Sequence, residues 1–169
     1  MAGRLARYYH LYYDQRDGAP FRTGEGNTAL RLLQRQDLHL TESNYVLFQK
    51  ATLYEYVSHE YLFLYAAPHL TLAAAQAAVE QAYAEGMAQF TPAPGHKCTV
   101  ISAVVLCDTC DAGAARYLRR LRRYKSFHLS FYGWMNFHTA LLVREGDRIL
   151  TNEAGRDKAK VIKSIFRVS

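Results

Sequence analysis

The sequence predicts an α/β domain of the mixed α+β kind, with a single mixed sheet of roughly five to seven strands, two central helices and an N-terminal helix. Two observations predict it. Between residues 60 and 125, segments of strand composition alternate with segments of helical periodicity, and a strand–helix–strand step is normally a right-handed parallel crossover. From residue 127 onward, turn signals separate strand-like runs, which implies antiparallel hairpins closing the sheet. Length sets the scale: 169 residues make one domain. A chain of this size can bury roughly 70% of its unfolded surface without a disulfide or metal staple. We read residues 1–169 as one globular domain, with a helix over 1–14, a loop over 15–28 and the mixed-sheet core over 29–169.

The elements follow in order. Leu5, Tyr8, Tyr9, Tyr12 and Tyr13 fall near one face of the first helix, away from Arg4 and Arg7. Gly18, Pro20, Gly24 and Gly26 punctuate the loop. Residues 29–40 fit a short helix or a strand, and the alternation Leu38-His-Leu40 favours strand at the end. Thr41-Glu-Ser-Asn44 reads as a turn. Tyr45–Tyr56 and Glu60–Ala67 then form a predicted hairpin that reverses at Ser58 and His59, with Pro68 as its stop. Thr71 is the expected N-cap of a helix over 72–90 whose buried face is Leu72, Ala75, Val79, Tyr83, Met87 and Phe90. Thr91-Pro-Ala-Pro-Gly95 ends it. Cys98–Cys107 is an apolar run with little charge, as in a central strand covered on both faces. Asp108, Thr109 and Asp111 are candidate caps for a helix over 112–125. Residues 127–143 read as a strand interrupted at Gly133, residues 143–148 and 152–155 as turns, and residues 158–168 as a final strand.

Composition narrows the function classes. Hydrophobic residues are 50% and charged residues 21%, which excludes a disordered or collagen-like chain. No apolar run approaches the ~18 residues of a spanning helix, and Met1–His10 lacks a secretory apolar stretch. Cys98, Cys107 and Cys110 make an odd number, against the even framework of a secreted fold. A cytoplasmic protein with reduced thiols and no membrane partner is expected.

Several segments together carry a resemblance. They are Tyr45-Val-Leu-Phe-Gln-Lys-Ala51, Glu60-Tyr-Leu62, Tyr124-Lys-Ser-Phe127, Phe131-Tyr-Gly-Trp134 and Ile149-Leu-Thr-Asn-Glu-Ala-Gly155. In order and spacing the chain resembles an uncharacterised bacterial family, a domain of unknown function. The resemblance implies one domain covering most of the chain, and no activity.

The strongest chemical signal is the segment Ala112–Lys125, which carries Arg116, Arg119, Arg120, Arg122, Arg123 and Lys125 and no acid. At 100° per residue, Ala114, Tyr117, Leu118, Leu121 and Tyr124 lie on one stripe and the five arginines opposite. Like charges three and four apart repel by a few tenths of a kcal/mol per pair, which a bound polyanion relieves. Arginine also grips phosphate in a bidentate fork. The formal charge of +6 agrees with a nucleic-acid partner. The bland alternative is a solvated face neutralised by acids such as Glu42, Glu55, Glu60, Glu80, Glu85, Asp108 and Asp111. Arg156, Lys158, Lys160, Lys163 and Arg167 add charge, which strand alternation would spread over both faces.

Other constellations are weighed beside it. Cys107-Asp-Thr-Cys110 stands at a strand end before a helix, where thiol oxidoreductases place their pair. However, no aromatic residue precedes it, and Asp108 and Asp111 oppose a low thiol pKa. His96 and Cys98 lie about 30 Å from that pair along an extended strand, too far to share one zinc ion. The element order is loosely that of restriction-endonuclease-like domains, yet there is no Glu-x-Lys, and Gln49 and Lys50 point to opposite faces. His59-Glu60 diverge as strand neighbours, and His128 and His138 stand far apart on one strand. Neither a catalytic motif nor a site for a metal or cofactor emerges. Phe127, Phe131, Tyr132, Trp134 and Phe137 cluster around Gly133, where they could pack, stack bases or bury themselves in a homodimer. Three readings result: nucleic-acid binding on the basic helix, self-association through aromatic surface, and an enzyme of unrecognised type, the CxxC thiol form being its most concrete version.

Overall fold

The computed structural model describes residues 20–22, 29–43 and 55–166. The expected N-terminal helix over 1–14 and residues 45–54 of the strand expected at Tyr45–Tyr56 lie outside the described residues. Among the described residues, seven strands form one sheet: β1 (Pro20–Arg22), β2 (Ala29–Ser43), β3 (Glu55–Leu70), β4 (His96–Cys110), β5 (Tyr124–Ser126), β6 (Trp134–Val143) and β7 (Arg148–Thr151). Their spatial order is β1-β2-β3-β4-β6-β5, and β7 also pairs with β6. Three described helices accompany them: α1 (Leu72–Ala88), α2 (Ala112–Arg120) and α3 (Arg156–Phe166). The parallel centre β3-β4-β6 is made by two crossovers, through α1 and through α2, and its flanks are antiparallel. This is the mixed α+β sheet that the order of elements predicts.

Period-two alternation explains the two cores. Tyr61, Phe63 and Tyr65 of β3, with Ile101, Ala103 and Val105 of β4 and Met135, Phe137 and Leu141 of β6, face α1 and α2. Leu62, Leu64, Val104, Leu106, Ala140 and Leu142 lie on the other face with Ile162 of α3. Both faces of β4 are therefore buried, as its uninterrupted apolar run requires. Thr71 caps α1 by accepting from the Ala74 amide at 3.2 Å. The stripe that α1 buries is mostly alanine and glycine (Ala74, Ala75, Ala78, Val79, Ala82, Gly86), which brings the helix close to the sheet. Tyr83, Met87 and Phe90 pack at its margin, whereas Leu72, expected inside, is exposed.

Several boundaries differ from expectation. β3 runs straight through Ser58 and His59, because both its edges are paired there: His59 stands between His39 of β2 and Thr99 of β4. The antiparallel partner of β3 is β2, and Thr41–Ser43 belong to that strand instead of a turn. Pro68 does not end β3. The β2 ladder finishes at Ala66, so the missing N–H of Pro68 falls beyond that paired stretch. Pro20–Arg22, read as loop, is an edge strand, a place that tolerates proline. Asp108 and Thr109 extend β4 instead of capping a helix.

The segment read as a strand from Phe127 is a left-handed turn. His128, Leu129 and Ser130 have φ of 46°, 53° and 71°, and Gly133 has φ of 77°. At Gly133 a Cβ would stand 2.7 Å from the His96 carbonyl oxygen, so this position needs glycine. The segment expected as a C-terminal strand is α3, whose apolar and basic residues recur at helical spacing.

Candidate functional site

The basic segment divides where α2 ends. Its helix stops at Arg120, five residues before the expected end, because the carbonyls of its last turn find partners elsewhere. Thr139 donates its hydroxyl to the Leu118 carbonyl at 2.8 Å. Buried Asn152 donates to the carbonyls of Leu121 at 3.0 Å and Phe137 at 2.8 Å. The Asn152 side-chain oxygen accepts from the amides of Thr139 at 3.0 Å and Gly155 at 2.9 Å. The chain then turns along β6, where the Phe137 amide donates to the Arg123 carbonyl. Tyr124 is 59% exposed and does not continue the buried stripe.

This division sorts the cations. Arg123 grips Glu80 of α1 through two bonds, 3.0 and 2.5 Å, with its guanidinium 4.4 Å from the centre of the Tyr83 ring. Hydrogen bonding to Glu80 raises the Arg123 pKa, and the same bond lowers that of Glu80. Arg122 meets Glu153 at 2.8 Å, both well exposed. Lys125 stands 5.6 Å from the centre of the Phe127 ring. Arg116, Arg119 and Arg120 remain on the exposed face of α2, and no carboxylate among the described residues pairs with them. A groove of about 530 Å³ runs beside them, lined by Leu72, Gln76, Tyr117 and Leu121 together with Arg116, Arg120 and Arg122. It combines an apolar floor, an amide and three guanidinium groups.

At the C-terminal ends of β3 and β4, next to this groove, lies a cluster that motif reading missed. His69 and Thr109 are register neighbours on the two parallel strands. His69 Nδ1 is 2.7 Å from Thr109 Oγ1, and its Nε2 is 3.1 Å from Asp111 Oδ1. The other Asp111 oxygen accepts from the Leu72 amide at 3.3 Å. His69 follows a proline in an apolar strand, and only parallel pairing brings it to Thr109. Strand register was the missing signal.

A second polar cluster is sealed under α3. Lys158 Nζ meets Glu60 Oε1, which also accepts from Ser102 at 3.2 Å. His138 lies beside it, 3.8 Å from Asp157. Burial, and then the nearby Lys158 charge, lower the His138 pKa against the opposing pull of Asp157 and Glu60.

The remaining candidates separate. Cys107 is buried, and desolvation, with Cys110 and Asp108 adding to it, pushes its thiol up to about 12. A thiol so held carries no nucleophilic thiolate at neutral pH. His96 bonds the Tyr132 carbonyl and Thr99, both at 2.8 Å, and Cys98 bonds Ser58. Among the described residues, no group of His, Cys, Asp and Glu could hold a metal ion. His128 packs on Tyr132 with ring centres 4.4 Å apart. The aromatic cluster splits: Phe127 and Phe137 are buried, Tyr132 and Trp134 half-buried, and Phe131 is 80% exposed. No described helix is long and apolar enough to cross a membrane.

Fold and site together define a mixed-sheet α+β domain with a basic groove along its second crossover helix. The chain belongs to the domain-of-unknown-function family DUF8052, whose profile matches residues 1–164. No curated protein and no solved structure matches the chain.

Proposed function

We propose that this protein binds nucleic acid, without catalysis by the arginine face itself, through Arg116, Arg119 and Arg120, with Arg122 at the margin of the groove. The observation that carries this reading is the absence, among the described residues, of any carboxylate paired to the first three. Arg116 stands three and four positions from Arg119 and Arg120, so their repulsion is unrelieved until an anion arrives. Phosphates meet guanidinium groups bidentately, and bases or sugars have the apolar floor of Leu72, Tyr117 and Leu121 to lie against. Arg123, fully engaged by Glu80, is excluded from the binding set. Cys98, Cys107 and Cys110 are all free thiols, which accords with a cytoplasmic location.

The test is fluorescence anisotropy with labelled single-stranded DNA and RNA at low salt. Wild-type protein should bind, and Arg116→Glu/Arg119→Glu/Arg120→Glu should not. Equal affinity of the two proteins, or no binding by either, removes the reading.

Self-association is a second reading, favoured by Leu129 and Phe131, 90% and 80% exposed at the left-handed turn. It requires a dimer mass at micromolar concentration that reverts to monomer in Leu129→Ser/Phe131→Ser.

A further inference from the structure

We propose that Thr109, His69 and Asp111 form a hydrolytic centre for carboxylic esters at the lip of the arginine groove. The alcohol of the ester carries phosphate. That preference rests on the anion-binding reading of the groove; the centre itself does not.

Connectivity argues first. An ionised carboxylate only accepts, so in the neutral ring His69 Nε2 carries the proton toward Asp111 at 3.1 Å. Nδ1 is then the acceptor, and the hydroxyl proton of Thr109 is aimed at it across 2.7 Å. Nucleophile, base and orienting carboxylate are thus joined in the sequence that activates a hydroxyl.

Asp111 argues second. It is the N-cap residue of α2, yet makes no side-chain bond to its own helix. Its oxygens go to His69 and to the Leu72 amide across the cleft. A residue kept only for capping would accept from its own first turn. The Ala112 and Gly113 amides have no acceptor among the described residues and stand as donors at the positive end of the helix. Such donors suit the oxyanion of a tetrahedral intermediate.

Position argues third. Open sheets bind ligands beyond the carboxyl ends of parallel strands, where His69 and Thr109 stand. His69 and Asp111 side chains are 46% and 47% exposed, so a substrate can reach them. Leu72 links centre and groove: its amide holds Asp111, and it also lines the groove with Arg116 and Arg120.

The reaction balances as hydrolysis. Thr109 Oγ adds to the ester carbonyl carbon while its proton passes to His69 Nδ1. The tetrahedral intermediate collapses, the bond to the alcohol oxygen breaks, and the alcohol departs with that proton. Water then adds to the acyl-threonine and gives a proton to His69. Collapse returns the proton to Thr109 Oγ and releases the carboxylic acid.

The experiment uses the full chain with p-nitrophenyl acetate, in a Cys110→Ser background so that the neighbouring thiol cannot take the acyl group. An acid quench should trap an acetyl group on Thr109, detected by peptide mass spectrometry. Thr109→Val and His69→Gln should lose the adduct and slow hydrolysis by about 100-fold or more, while Thr109→Ser keeps both. Asp111→Asn should move the pH–rate profile, which a purely structural role would leave in place. Arg116→Glu/Arg120→Glu should slow the acetyl ester of glycerol phosphate more than this neutral ester. If both esters are unaffected by the arginine changes but still need Thr109, the centre stands and the groove reading fails. No acetyl on Thr109, or unchanged rates in Thr109→Val and His69→Gln, overturns the proposal. If Thr109→Val does not fold, the exposed His69→Gln decides.

Discussion

Two polar clusters on the same strands contrast sharply. One lies at the open end of β3 and β4, where His69, Thr109 and Asp111 meet solvent. The other lies on the opposite face, where Glu60, Ser102 and Lys158 are closed in by α3. Each joins side chains of β3 and β4 to a residue from a helix start. The difference is cover: the Lys158 side chain is 5% exposed and that of His69 46%. An ion pair in water is nearly neutral for stability, whereas a buried charge stripped of its partner is not. The sealed cluster therefore holds the fold, and the open one is free to do chemistry.

Breaking the sealed cluster should have the largest effect. Lys158→Met leaves the half-buried Glu60 carboxylate without its ammonium and should destabilise the protein by about 3 kcal/mol, measured by urea unfolding. A loss under about 1 kcal/mol would mean that the cluster is not sealed. Acid is the next lever. The folded state holds the His138 pKa below the ordinary value near 6.5, so the unfolded chain binds that proton more readily. The stability His138 contributes is complete above about pH 6.5 and is lost as pH falls through its folded value. Thermal midpoints against pH should show this fall, and His138→Gln should flatten it. The smallest effect belongs to the open cluster: His69→Gln should change stability by no more than about 1 kcal/mol in the same urea experiment. A larger loss would make His69 a structural tie.

What the sequence made legible follows the same contrast. Alternation and periodicity reveal β4, α1 with its Thr71 cap, and the crossover order, because burial there writes itself into apolar spacing. The end of α2 was not legible. Leu121 and Tyr124 continue the helical stripe on paper, but Asn152 and Thr139, from later in the chain, take the carbonyls that end the helix. The basic face consequently shrinks from six cations to Arg116, Arg119 and Arg120 with Arg122 beside them. Ser58-His59 looked like a reversal because two polar residues broke an apolar pattern, whereas pairing on both edges carries the strand through. His69 and Lys158 could not be found by motif. Their partners, Thr109 and Glu60, are distant in sequence: sheet register brings Thr109 to His69, and the packing of α3 on the sheet brings Lys158 to Glu60.

The salt dependence of nucleic-acid affinity tests the central claim most directly. Three arginines that each neutralise a phosphate of a single strand predict a slope of about −2 in log affinity against log salt concentration. Replacing Arg116, Arg119 and Arg120 by glutamate should abolish that dependence along with binding. A wild-type affinity that does not change with salt would contradict the account.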